Sequence, residues 1–166
     1  MSDPQLARER SDLPADFSLA VVMARSPSES PWLDYRWEAL GVVAREWDPF
    51  RVPDGPRLVH REGETCHFLN DGFHLRLHVD ECESYYHNLR SPTPRCFVIA
   101  TPDDSGTPVP FLVSLSFDEA NAYLEGEEQV FSVDMPPELY RWCEQFVLQH
   151  YVPTKKKKRR LKDWRQ

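Results

Sequence analysis

Apolar and polar positions alternate through much of the chain, and this pattern predicts strands interrupted by a few helical stretches. Residues 17–23 form a short β-type run, followed by a Ser/Pro linker at 26–31 and a second strand at 35–43. Residues 47–56, with several prolines and Gly55, read as a loop. The sharpest local signal is a hairpin. Segments 58–69 and 73–79 flank Asn70-Asp71-Gly72, and Asp-Gly suits a type I′ turn, whose two central residues need positive φ. With Asp71 and Gly72 as those residues, Phe68 pairs with Leu75 and Cys66 with Leu77. Cys66, Phe68, Phe73, Leu75 and Leu77 then point inward, while His67, His74, Arg76 and His78 share the outer face.

The second half adds helices. Residues 80–89 look helical, with Asp80 as N-cap, Glu83 three positions on and Pro92 just beyond. Strands are expected at 95–100 and 109–115, around Asp103-Asp104-Ser105-Gly106; residues 96–100 are apolar on both faces, which suits a central strand. Ser116 caps a short helix with Glu119 at N3 and Gly126 at its end, and 128–133 is a last strand. Pro136 and Pro137 open the longest helix, because proline is tolerated in a first turn. Its Leu139, Trp142, Cys143, Phe146 and Val147 recur at i, i+3, i+4, i+7 and i+8, a single buried stripe that Pro153 terminates.

Antiparallel strands and a closing C-terminal helix mean an α+β fold. The expected form is a curved antiparallel sheet or small barrel, loosely pleckstrin-homology-like, closed by that amphipathic helix; a flat sheet with helices on one face is the alternative. The expected organisation is a disordered lead-in at 1–16, one domain at 17–153 and a flexible basic tail at 154–166. There is no internal repeat.

Charge changes this picture more than composition does. At 40 % apolar and 12 % aromatic residues the chain can bury a core. Its net charge of −7 hides a separation: residues 155–166 hold eight of the 20 basic residues and one acid, leaving a body with 12 Arg, no Lys and 26 acids, a net of −14. An acidic body repels phosphate and is a poor nucleic-acid binder. The run Lys155, Lys156, Lys157, Lys158, Arg159 and Arg160 is either a solvated tail or a contact for an acidic or phosphate-bearing partner. Nothing approaches the roughly 18 consecutive apolar residues of a membrane span. A polar N-terminus and four scattered cysteines point to the cytoplasm, with the thiols reduced and buried.

Catalytic chemistry finds little footing. His74 and His78 lie about 13 Å apart along a strand at ~3.3 Å per residue, too far for one metal ion; only His67 and His74, diagonal across the expected hairpin, could approach a common ligand. Cys66 and His67 are strand neighbours on opposite faces and cannot form a nucleophile–base pair. The six glycines stand alone, with no phosphate-cradling loop. No metal and no cofactor is expected. Trp32, which follows the Ser/Pro linker, has the character of an exposed anchor, with Tyr35 and Arg36 beside it, whereas Trp37 suits the core.

Several blocks carry a resemblance. Leu19-Ala-Val-Val-Met-Ala-Arg25, then Trp32 and Trp37 before Gly41-Val42-Val43, form the first. Leu75-Arg-Leu-His78-Val-Asp-Glu81-Cys-Glu83-Ser-Tyr85 with Asn88-Leu89 form the second. Glu119-Ala120, Tyr123, Met135-Pro136-Pro137-Glu138-Leu139, Trp142, Phe146-Val147, His150 and the basic end complete the series. The chain resembles the bacterial Domain of Unknown Function 3305 family over about residues 19–160. That resemblance implies genes lying beside molybdenum- or tungsten-dependent formate dehydrogenases and their maturation factors. A nucleotidyltransferase label attached to some members does not suit this chain, because residues 19–25 lack glycine and the body lacks lysine. The expected function is therefore a non-enzymatic accessory protein supporting formate dehydrogenase assembly or maturation by binding a protein partner, the dehydrogenase or a maturation factor. The alternatives are a small cofactor-handling enzyme using the His67, His74 and His78 face, or a regulator contacting nucleic acid through the tail.

Overall fold

A computed structural model describes residues 16–46, 50 and 55–151 of the chain. Four strands, β1 (Asp16–Pro27), β2 (Tyr35–Ala44), β3 (Arg57–Glu62) and β4 (Thr65–Arg76), form one antiparallel sheet in the order β2-β1-β4-β3. A 3-10 turn (Val79–Glu81) leads into helix α1 (Cys82–Arg90). A second antiparallel sheet follows, built from β5 (Arg95–Pro102), β6 (Pro108–Ser114) and β7 (Gln129–Asp134) in the order β6-β5-β7. Helix α2 (Phe117–Leu124) links β6 to β7, and α3 (Pro137–His150) ends the described chain. The α+β class stands. Its strands divide into two sheets, β4 abutting β6 and β2 abutting β7, with no hydrogen-bonded closure into a barrel among the described residues.

The expected hairpin at Asp71-Gly72 is not there. Residues Thr65–Arg76 form one continuous strand, and Phe68 lies opposite Met23 and Leu58 rather than Leu75. The turn joining β3 to β4 is Gly63-Glu64, closed by the Glu62–Thr65 pair. Gly63 there has φ +61°, the glycine-first requirement of a type II′ turn. Gly72 does adopt a positive φ of 95°, but as a β-bulge: Leu19 pairs with Phe73 and Val21 with Asn70, so Asp71 and Gly72 together oppose Ala20. One extra residue inverts the alternation as a two-residue turn would. Cys66, Leu75 and Leu77 are accordingly buried and His74 and Arg76 exposed, while Phe68 and His67 are half-buried. Further bulges leave Leu40 of β2 and Val59 of β3 without direct partners.

The other expectations fare unevenly. Asp80 does not cap a helix, because 79–81 winds as a 3-10 turn and Glu81 becomes the uncapped N-terminal flank of α1. Ser116 caps α2 as expected, its Oγ accepting from Glu119 N at 3.1 Å. Strand β5 is central, with residues 96–100 buried on both faces. In the β5–β6 turn, Asp103 Oδ1 accepts from Ser105 Oγ, Ser105 N and Thr107 N, bonds that hold its carboxyl below the ordinary range. Pro136 and Pro137 start α3, whose Leu139, Trp142, Cys143 and Val147 are buried. These meet Leu19, Val21 and Met23 of β1 and Cys96 and Val98 of β5 in one core, with Phe17 against Trp142 at 5.3 Å. The lead-in 1–15, most of the 47–56 loop, Pro153 and the basic tail lie outside the described residues. Among the described residues no helix is long and apolar enough to cross a membrane.

Candidate functional site

The β1–β2 connection, residues 28–34, is short and tied to itself. Ser28 N donates to Asp34 O at 3.2 Å, Ser30 N to Ser28 Oγ at 3.0 Å and Trp32 N to Ser30 Oγ at 3.3 Å. These serine turns hold the tip in a defined shape and present Trp32 to solvent at 90 % exposure, with Leu33 at 64 % beside it. Tyr35 and Arg36 open β2 and are exposed; Arg36 reaches Glu38 at 3.9 Å, an open surface pair. Trp37 is half-buried and packs against the core. Of the sequence-predicted site residues, Trp32, Tyr35 and Arg36 thus come together, whereas Lys155 to Arg160 fall outside the described residues.

Below the tip, the register aligns four residues from four strands on one face. Arg61 of β3 lies opposite Cys66 of β4, Cys66 opposite Arg25 of β1, and Arg25 opposite Trp37 of β2. The Arg25 guanidinium carbon sits 4.5 Å from the Tyr35 ring centroid and 5.4 Å from that of Phe68, whose ring lies 5.8 Å from Trp37. Arg25 Nη2 points to the Cys66 sulfur at 3.7 Å. Its Nε is buried without a hydrogen-bond partner among the described residues. No described carboxylate pairs with Arg25 or with exposed Arg61, although Arg45, Arg76 and Arg95 each hold one.

The histidines do not converge. His67 and His74 share one strand face, but seven positions on a single strand separate them by roughly 20 Å. His67 instead meets His60 across the β3–β4 pair, with ring centroids 5.2 Å apart. Among the described residues no cluster of His, Cys, Asp or Glu has the form of a metal site.

A cleft of about 580 Å³ opens between α1, α2 and the second sheet, lined by residues including His87, Arg95, Phe97 and Phe117. Several of its polar groups serve the fold. Ser116 Oγ donates to Glu81 Oε2 at 2.6 Å and lies 3.1 Å from Ser84 Oγ, which accepts from Asp118 N, so both hydroxyls are engaged in joining α1 to the start of α2. Arg95 is held by Asp134 and by the Ser132 carbonyl and hydroxyl. All four cysteines are buried; burial pushes the Cys143 thiol up to about 12 and raises Cys82 and Cys96, which suits packing rather than nucleophilic use.

Residues 18–160 match the sequence model of a protein family of unknown function, DUF3305. The chain belongs to this family. No curated protein and no solved structure matches it. The DUF3305 match takes in the hairpin tip and the Arg25 row, and it extends through Lys155 to Arg160. The sequence pointed to an exposed Trp32, and the ring is exposed, but it did not single out Arg25. The signal lay in the alternation itself: the polar Arg25 continues the apolar Leu19, Val21 and Met23 series. A charge on a core-facing register position is the mark of a special environment.

Proposed function

We propose that this DUF3305 domain is a non-enzymatic accessory protein that binds a protein partner through the β1–β2 hairpin. The observation that carries this reading is Trp32, 90 % exposed on a tip whose shape is fixed by its own hydrogen bonds. Tryptophan on a pre-shaped loop is a strong interface anchor, because burying its ring on a partner requires little further ordering. Leu33 and Tyr35 extend the apolar contact, and Arg36 adds a polar rim.

The resemblance to the family supplies the direction of the proposal: the partner is a molybdenum- or tungsten-dependent formate dehydrogenase or one of its maturation factors, met in the cytoplasm. In a formate-oxidising host, deleting the gene is expected to lower the amount of mature, cofactor-loaded dehydrogenase without changing its transcription. Trp32→Ala should reproduce part of that defect while the protein stays folded. Normal dehydrogenase activity in the deletion strain, under conditions that require the enzyme, would overturn the reading. Turnover of a small molecule by the purified protein, abolished by His74→Ala, would replace it with an enzymatic one.

A further inference from the structure

Arg25 is placed as though an acceptor were missing. Its guanidinium lies over the rings of Tyr35 and Phe68, an arrangement that uses the flat faces of the group and leaves its in-plane N–H edge for hydrogen bonds. The Nε on that edge is buried and without a hydrogen-bond partner among the described residues, and from Nη2 the guanidinium makes only the weak bond to the Cys66 thiol at 3.7 Å among the described residues. A buried donor left unpaired is costly. The body holds 26 acids, and its other buttressed arginines, Arg45 and Arg95, have one each, yet no described carboxylate reaches this one. Two strands away on the same face stands Arg61, exposed and likewise without a described carboxylate. Two strand spacings put the two backbones about 10 Å apart. Carboxylates two residues apart on an extended chain project to the same side, and the long arginine side chains span the remaining distance to both.

We propose that the row Arg61–Cys66–Arg25–Trp37 is the seat of an acidic segment of the protein partner, with one carboxylate received by Arg25 and a second by Arg61. This rests on the reading of the neighbouring hairpin as a partner-binding surface and names the chemistry of what binds there. The partner's carboxylate meets the Nη groups of Arg25 rather than its buried Nε, and the planar guanidinium gives those bonds direction as well as attraction. Tyr35, Phe68 and Leu58, on the same face, receive apolar side chains two positions before or after the acids, which point the same way on an extended segment. Charge complementarity selects the occupant: this face carries unpaired cations on a body of net −14, so it attracts acids locally, while the body as a whole repels the repeated phosphates of a nucleic acid.

The test uses the full chain and a display library of short random peptides, with affinities of the selected peptides measured by fluorescence polarisation. Selected peptides are expected to carry Asp or Glu beside apolar residues. Arg25→Ala should weaken them about tenfold to a hundredfold, the range for a hydrogen bond to a charged group. Arg61→Ala should cost less, and replacing the peptide acids by Asn or Gln should reproduce the Arg25→Ala loss. Arg141→Ala, on the exposed face of α3, should change nothing. Arg61 is exposed, so its variant keeps the test valid if Arg25→Ala lowers the melting temperature. The proposal is overturned by no selection above background, by an acid-free consensus, or by acidic peptides indifferent to both arginine substitutions. Tighter binding of a single-stranded DNA oligonucleotide through Arg25 would also overturn it. If Trp32→Ala leaves dehydrogenase maturation intact while acidic peptides still require Arg25, the carboxylate site stands and the hairpin-tip reading fails.

Discussion

Asn88 is a single side chain that fastens three elements. From the buried face of α1 its Nδ2 donates to Arg95 O at 2.8 Å and Leu115 O at 2.9 Å, and its Oδ1 accepts from Arg95 N at 2.9 Å. It thereby satisfies the start of β5 and the chain leaving β6, groups that no ladder bond reaches at that corner. Asn88→Ala would strand these backbone groups, and the expected loss is about 2–4 kcal/mol of unfolding free energy, measured by urea titration. Asn88→Leu should restore volume without recovering stability, whereas a neutral Asn88→Ala would show that water replaces the amide. Its role was not legible in the sequence, where Asn reads as a helix neutral or a turn residue, whereas the Ser116 cap was legible because cap and partner lie three residues apart. The cysteines make a second prediction at this scale. Cys82, Cys96 and Cys143 ionise less readily folded than unfolded, since burial disfavours the thiolate. Below an ordinary thiol value near 9.0 their contribution is fully present; as pH rises from there towards about 12, the unfolded chain sheds protons that the folded one keeps, and stability falls. Native protein at neutral pH should resist iodoacetamide at all four cysteines and react at all four in denaturant. Rapid native labelling of any one would place it outside the core.

At the level of elements, the bulge in β4 is the instructive case. Sequence showed two correct things there: a demand for positive φ at Gly72, and an inward-facing series that changes parity between Phe68 and Phe73. Both are produced equally by a two-residue turn and by a bulge, so local pattern cannot separate them. The deciding fact was long-range, namely that β1 runs alongside both halves of β4. The true turn, Gly63-Glu64, was a weaker pattern than Asp71-Gly72. Helix α3 was legible because its stripe and opening prolines agree, while the division into two sheets was not, since strand order is fixed by contacts far apart in the chain. The bulge predicts an ordering of variants. Gly72→Ala forces a side chain into left-handed backbone and should cost about 1–2 kcal/mol by thermal or urea unfolding. Deleting Gly72 should do far more, because it would turn Phe73, Leu75 and Leu77 away from the core or break their pairing with β1. A deletion variant that unfolds at the same denaturant concentration as Gly72→Ala would remove the parity argument.

For the whole molecule, the two sheets and α3 share one core, and the described chain closes where Tyr151 stacks on Tyr86 at 4.7 Å. The basic run begins just beyond that contact, on a body of opposite charge. Deleting Lys155 to Gln166 should therefore leave the melting curve unchanged, yet weaken capture of an acidic partner at low salt, an effect that should fade as salt screens it. A lowered melting temperature would make the run part of the folded unit; unchanged capture would leave it without a binding role. One consequence concerns crowding. Strand β3 presents the outer edge of the first sheet, and such an edge can recruit the same edge of another copy and grow into fibrils. Here Val59 bulges out of register and Arg57, Arg61 and Glu62 line the short strand with charge, so two copies meeting edge to edge would find mismatched hydrogen bonds and charged side chains to desolvate. The same arginine that is proposed to receive an acidic guest thus also makes that edge a poor template for the protein's own kind.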